Sequence, residues 1–171
     1  MCYIILNIYS TGTNQAPVNQ PHHLLRLNVG FIIGQSIGYH REFTFDHPQL
    51  TISSELEVSD FKGVVRIDRT QQGLVMQAKF HGNTRLDCVR CLGETVVPLQ
   101  TEFDELFAFS KRSVTESGLL LPEDGHIDLE PILREYLMLE IPIQPLCRPD
   151  CKGLCAECGE NLNERVCEHH T

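Results

Sequence analysis

The sequence of 171 residues has no tryptophan, three methionines, and only 14 lysines and arginines against 23 aspartates and glutamates. A formal charge of −9 excludes general wrapping of nucleic acid, because that mode places several cations on phosphates and gains from counterion release. A small basic patch or a basic protein partner is compatible with this charge. Long apolar runs are also missing. The stretch Met1–Leu6 is far shorter than the roughly 20 residues of a membrane span, and it has no positive segment before it and no small-residue cleavage site after it. The expectation is a cytoplasmic chain without membrane contact.

Catalytic signatures are lacking as well. There is no G-x-S-x-G, P-loop or H-E-x-x-H, and Gly12, Gly30, Gly34 and Gly38 lack phosphate-loop spacing. Glu102, Asp104 and Glu105 read as the wet face of a strand, and Glu123 and Asp124 fall in a loop. The chain is expected not to be an enzyme.

What the sequence does have is 42 % hydrophobic residues, ordered by period. That fraction, over this length, suffices for one buried core. Residues 1–22 are polar and Pro/Gly-rich towards their end and read as a flexible leader. Period-two alternation starts near Leu24, at Leu25, Leu27 and Val29, and continues at Phe43 and Phe45. Leu50, Ile52, Leu56 and Val58 against Thr51, Ser53, Glu55 and Glu57 predict one half-buried strand. Val64–Thr70 and Leu74–His81 flank Gln71-Gln72-Gly73 and predict a hairpin. Further strands are expected over Thr84–Cys88, Glu94–Gln100 and Glu102–Phe109, with a loop over Lys111–Gly125.

The period then changes. Leu129, Ile132, Leu133, Tyr136 and Leu137 form a helical stripe, with Asp128 as its cap and Pro142 as its stop. The fold class is α+β: a curled or barrel-like antiparallel sheet, one main helix and a Cys-rich zinc-binding C-terminal segment. The expected organisation is the leader 1–22, a β-rich domain with its helix over 23–142, and a tail over 143–171 packed on that domain.

Seven of the eight cysteines cluster. Cys88-Val89-Arg90-Cys91-Leu92-Gly93 is a C-x2-C at a strand end, and the tail carries Cys147, Cys151, Cys155, Cys158 and Cys167, followed by His169. Close cysteine pairs in the cytosol more often hold metal than form disulfides, and a C-x2-C turn offers zinc two sulfurs at about 2.3 Å. These eight ligands suffice for two tetrahedral sites. One partition, slightly favoured, joins Cys88 and Cys91 to Cys155 and Cys158, leaving Cys147, Cys151, Cys167 and His169 for a second site. A single site from Cys151, Cys155, Cys158 and Cys167 fits nearly as well, so the expectation is one or two zinc ions. Free thiols, disulfides or a redox use of Cys88-x2-Cys91 are the competing readings, although a thioredoxin-like motif would precede a helix. His169 is a ligand or a simple tail residue, and Cys2 is a small leader side chain.

Four stretches together resemble the YceD family of large ribosomal RNA subunit accumulation proteins: Leu86–Leu92, Glu123–Leu129, Leu139–Cys147, and Asp150 through Asn163. The resemblance covers about Leu24–His169. It implies a part in the synthesis, processing or stability of large-subunit ribosomal RNA and so in assembly of the large subunit. The first hypothesis is an assembly factor that acts by binding that RNA or the pre-ribosomal particle, its acidic balance suiting a basic ribosomal protein as partner. Many Cys-rich members end the motif with C-x-C, where this chain has His169. Arg85, Arg90, Arg148, Lys152 and Arg165 would then form a small basic surface near the metal, or serve as ordinary solvated charges. The alternative function is a cytosolic thiol-redox or zinc-handling protein; a nuclease ranks last for want of convergent acids or histidines.

Overall fold

The computed structural model describes residues 24–54 and 56–170, so the expected leader 1–22 and Cys2 lie outside the described residues. Short elements open the described chain: strand β1 (Arg26–Asn28) and helix α1 (Gly30–Ile33). Four long strands follow, β2 (His40–Ser53), β3 (Leu56–Arg69), β4 (Gly73–Asp87) and β5 (Glu94–Ala108), as one antiparallel sheet in the order β2-β3-β4-β5. Strand β6 (His126–Asp128) pairs with β1, and helix α2 (Glu130–Glu140) comes next.

Two expectations about strands need correction. The alternation over Leu50–Val58 is not one strand but a hairpin, with Ser53 opposite Leu56 and Leu50 opposite Val58. A register shift between Thr51 and Ser53 inserts one extra residue. That extra residue keeps the two arms in phase, so Leu50, Ile52, Leu56 and Val58 are all buried despite the reversal. Conversely, β4 and β5 each run unbroken through what the sequence divides into two strands, because Gly82 and Asn83 stay in register with Leu99 and Pro98.

The sheet does not close into a barrel: among the described residues β2 and β5 pair on one side only. Helix α2 instead packs against both β5 and β2. The sheet therefore curls around the helix, and apolar side chains bridge its two edges where a barrel would use hydrogen bonds. The stripe works as expected, with Leu129, Ile132, Leu133 and Leu137 buried. A row of rings crosses the sheet beneath it. Phe80 stacks on Phe61 at 5.2 Å and on Phe103 at 6.3 Å, and Phe103 stacks on Tyr136 of α2 at 4.0 Å. Asp128 lies one position earlier than a cap. It belongs to β6, and its Oδ1 accepts the Glu130 N–H at 3.0 Å. Pro142 follows the last residue of the helix turn, Ile141, whose backbone is already extended.

The chain beyond α2 then turns back to the β4–β5 connection. Val89 donates its N–H to the Pro145 carbonyl at 3.0 Å. That single return places the tail cysteines beside Cys88, the residue after β4.

Candidate metal centres

The β4–β5 connection is a knuckle set by two backbone hydrogen bonds. Leu92 N–H reaches the Cys88 carbonyl and Cys88 N–H reaches the Gly93 carbonyl, both at 2.9 Å. The same pair recurs in the tail: Gly159 N–H to the Cys155 carbonyl at 2.9 Å, and Cys155 N–H to the Glu160 carbonyl at 2.8 Å. Each turn folds its two cysteine sulfurs to one side. It requires a left-handed residue just after the second cysteine, and these are Leu92 (φ 56°) and Gly159 (φ 73°). In the first knuckle Gly93 supplies its carbonyl to the Cys88 N–H and turns its own N–H to the Cys91 sulfur.

Eight ligand atoms gather as two foursomes, in each of which all atoms lie within 4.8 Å of one another. Cys88, Cys91, Cys147 and Cys151 form the first, and Cys155, Cys158, Cys167 and His169 the second. This differs from the ribbon-like partition, which joined the two knuckles, and from the single-site arrangement of Cys151, Cys155, Cys158 and Cys167. Each knuckle meets its own second pair. The reason lies in the four-residue step from Cys151 to Cys155. Leu154 N–H binds the Arg90 carbonyl at 3.0 Å, and Gly153 takes φ 79° where a Cβ would sit 3.0 Å from that carbonyl. Cys151 therefore faces the first knuckle while Cys155 begins a separate turn.

Both foursomes could hold a metal ion, and the donor sets suit zinc in particular. A tetrahedron with Zn–S bonds of about 2.3 Å has S···S edges of about 3.8 Å. Cys88 and Cys151 Sγ are 3.8 Å apart, and Cys91 and Cys147 Sγ 3.7 Å. A disulfide needs about 2.05 Å, and these seven cysteines are free thiols. Cys88, Cys151 and Cys155 are buried; Cys147, Cys158 and His169 reach the surface. The second foursome borders an open hollow of about 350 Å³ lined by Arg165, Val166 and Glu168 among others.

Hydrogen bonds in each foursome favour thiolates at particular sulfurs, Cys88 and Cys151 in the first and Cys155 in the second. Backbone N–H groups of Cys147 and then Cys91 pull Cys88 down to about 6. Those of Cys158 and Glu157 do the same for Cys155, again to about 6. Burial, followed by the neighbouring sulfurs, pushes Cys147 up to about 12. Four sulfurs this close resist joint ionisation until a cation shares their charge.

The basic residues near the foursomes are largely committed. Arg90 Nη1 donates to the Cys151 carbonyl at 2.8 Å, Arg85 pairs with Glu94 at 3.2 Å, and Arg165 pairs with Glu160 at 2.6 Å. Arg148 donates to Asn163 Oδ1 at 2.8 Å. The Lys152 ammonium has no ion-pair partner among the described residues. Sequence reasoning gave no role to Asn163, whose Nδ2 donates to Cys151 Sγ at 3.3 Å. Its signal was the Asn161-Leu162-Asn163 run just beyond the second knuckle.

Comparison with known proteins adds a family. The family model described as "Large ribosomal RNA subunit accumulation protein YceD" matches residues 76–171. An uncharacterized protein of Mycobacterium leprae is 31% identical over 164 residues, covering 90% of this chain and 76% of its own. An uncharacterized protein of Mycobacterium tuberculosis is 31% identical over 112 residues, 62% of this chain; the match spans about half, 53%, of that relative. The chloroplastic "Large ribosomal RNA subunit accumulation protein YCED homolog 1" of Arabidopsis thaliana is 45% identical over 47 residues, 28% of this chain and 15% of that protein. No solved structure matches the chain.

Proposed function

The chain belongs to the YceD family, and from that membership we propose that it supports accumulation of large-subunit ribosomal RNA by binding, without catalysing a reaction. In this reading two zinc ions are structural, one on Cys88, Cys91, Cys147 and Cys151 and one on Cys155, Cys158, Cys167 and His169. Four protein ligands per ion leave no open position, the arrangement of structural rather than catalytic zinc. The first ion closes a loop of about 60 residues between the two halves of its site, which favours the folded tail by restricting the unfolded chain.

The net charge of −9 favours docking to the precursor particle through a basic protein of that particle, in the cytoplasm. On the outer face of the sheet Lys62, Arg66, Lys79 and Arg85 face Asp46, Asp68, Glu102 and Glu94. The sheet's rings Phe45, Phe61, Phe80 and Phe103 point into the core, so that face lacks the aromatic platform on which single-stranded RNA stacks. A thiol-redox or zinc-handling role has less support, since Cys88 and Cys91 share their environment with Cys151 and Cys147 rather than standing as an isolated pair.

The family match carries this reading. Deleting the gene in its own host tests it, with the ratio of large- to small-subunit ribosomal RNA as the readout. The ratio is expected to fall, to recover with the wild-type chain, and to recover less with Cys88→Ser/Cys151→Ser. An unchanged ratio in the deletion strain would overturn it.

A further inference from the structure

We propose that Asn163 is a positioning residue that keeps the first foursome in ligating form and fastens the chain of the second foursome to it. The inference rests on the reading that the foursomes hold zinc. By sequence Asn163 belongs to the second group, lying between Cys158 and Cys167. Its side chain nevertheless serves the first. Nδ2 donates to Cys151 Sγ at 3.3 Å and to Asn161 Oδ1 at 2.8 Å. Oδ1 accepts the Lys152 N–H and the Arg148 Nη2, both at 2.8 Å. The Asn163 backbone N–H donates to Asn161 Oδ1 at 3.1 Å.

A carboxamide is the side chain of this size that both donates and accepts. The donor half meets a sulfur that must be a thiolate to bind zinc. Four thiolates around one divalent ion leave a net charge of −2, so a hydrogen bond to sulfur offsets charge that the metal does not neutralise. The acceptor half grips Arg148 and Lys152, which flank Cys151 on either side. Around it, Leu162 N–H binds the Gly153 carbonyl at 2.9 Å, and Leu154 bridges Asn161. The segment 161–163 therefore lies along 152–154, and one side chain ties the connection inside the second foursome to a ligand of the first. That link makes the two sites respond to each other although they share no ligand.

Asn163→Asp separates the donor half from the acceptor half, because it keeps an acceptor for Arg148 and Lys152 and loses both Nδ2 bonds, to Cys151 Sγ and to Asn161 Oδ1. The full chain is loaded with zinc, metal per chain is measured, and release of each ion to a chromophoric chelator is timed. The sulfur-to-metal charge-transfer band is recorded with cobalt in place of zinc. Assignment uses a Cys167→Ser/His169→Ala background that holds the first ion alone. Asn163→Asp is expected to release the first ion ~10-fold or more faster, in the range of outer-shell effects, with a shifted cobalt band. Arg148→Ala, which removes a contact to Oδ1 but spares the N–H···S bond, is expected to release it near the wild-type rate. In the Cys167→Ser/His169→Ala background the first ion should leave faster than from the wild-type chain. Unchanged release and an unchanged band in Asn163→Asp, or equal acceleration in Arg148→Ala, would overturn the inference while leaving the zinc reading intact. A wild-type chain that takes up no metal would overturn both.

Discussion

Leu92 and Gly159 hold the same place in two knuckles 67 residues apart. Each has positive φ, 56° and 73°, and each donates its N–H at 2.9 Å to the carbonyl of the first cysteine of its turn. Only one of them is a glycine. The left-handed conformation costs a residue with a Cβ about 1–2 kcal/mol, so the first knuckle carries a strain that the second avoids. The Leu92 side chain is largely exposed and gives up little packing if removed.

Leu92→Gly is therefore expected to stabilise the metal-loaded chain by about 0.5–1 kcal/mol, after the added freedom of glycine in the unfolded chain is subtracted. Gly159→Ala should cost about 1 kcal/mol through backbone strain alone, since a Cβ there meets nothing within 4 Å. Urea unfolding midpoints check both, and a stabilising Gly159→Ala would contradict the knuckle geometry.

Chelation should act locally. The apolar core of the sheet and α2 contains none of the cysteines, whereas the tail is held by a few backbone bonds to the knuckle, such as Val89 to Pro145 and Leu154 to Arg90. Removing metal is expected to release amide protection over about residues 147–163 and to leave β3 and β4 protected. Hydrogen exchange with and without chelator measures this. Loss of protection in β3 and β4 would mean that the sheet itself depends on metal.

Phe80 is the centre of the ring row, against Phe45, Phe61 and Phe103. Phe80→Ala is expected to cost about 3–5 kcal/mol, from lost transfer energy and the cavity left behind. Denaturant unfolding reports the value. A loss under about 1 kcal/mol would argue that these rings do not pack as one core.

Tyr136 joins helix to sheet twice, by stacking on Phe103 and by donating its O–H to Glu105 Oε1 at 2.8 Å. Its pKa is raised, first by that hydrogen bond and then by burial, because both favour the protonated phenol. Tyr136→Phe keeps the stack and loses the bond, for an expected cost of about 1–2 kcal/mol. Lys79→Ala, which removes an exposed pair with Glu102, should cost less than about 1 kcal/mol. The contrast between the two variants in one unfolding series is the check.

The sequence by itself determined whatever depends on near neighbours. Alternation marks which residues of each strand are buried, and the apolar stripe from Leu129 to Leu137 marks the helix and its face. The two C-x2-C turns are also local, since each closes on hydrogen bonds spanning six residues or fewer. Parity is where local reading failed. The extra residue between Thr51 and Ser53 kept the alternation in phase across a reversal, so a hairpin carried the pattern of one strand.

Only the tertiary structure decided which knuckle meets which pair of ligands. All the clustered cysteines and His169 suit zinc chemically, so ligand spacing leaves several partitions nearly equal. The choice was made by contacts distant in sequence. The chain leaves α2 at Pro142 and returns to Val89 through Pro145, and the Leu154–Arg90 bond sends Cys151 to one foursome and Cys155 to the other. Closure of the sheet was decided in the same way. Helix α2 packs against both edge strands, and once apolar side chains fill the gap between those edges, no strand pairing is needed to bury the core.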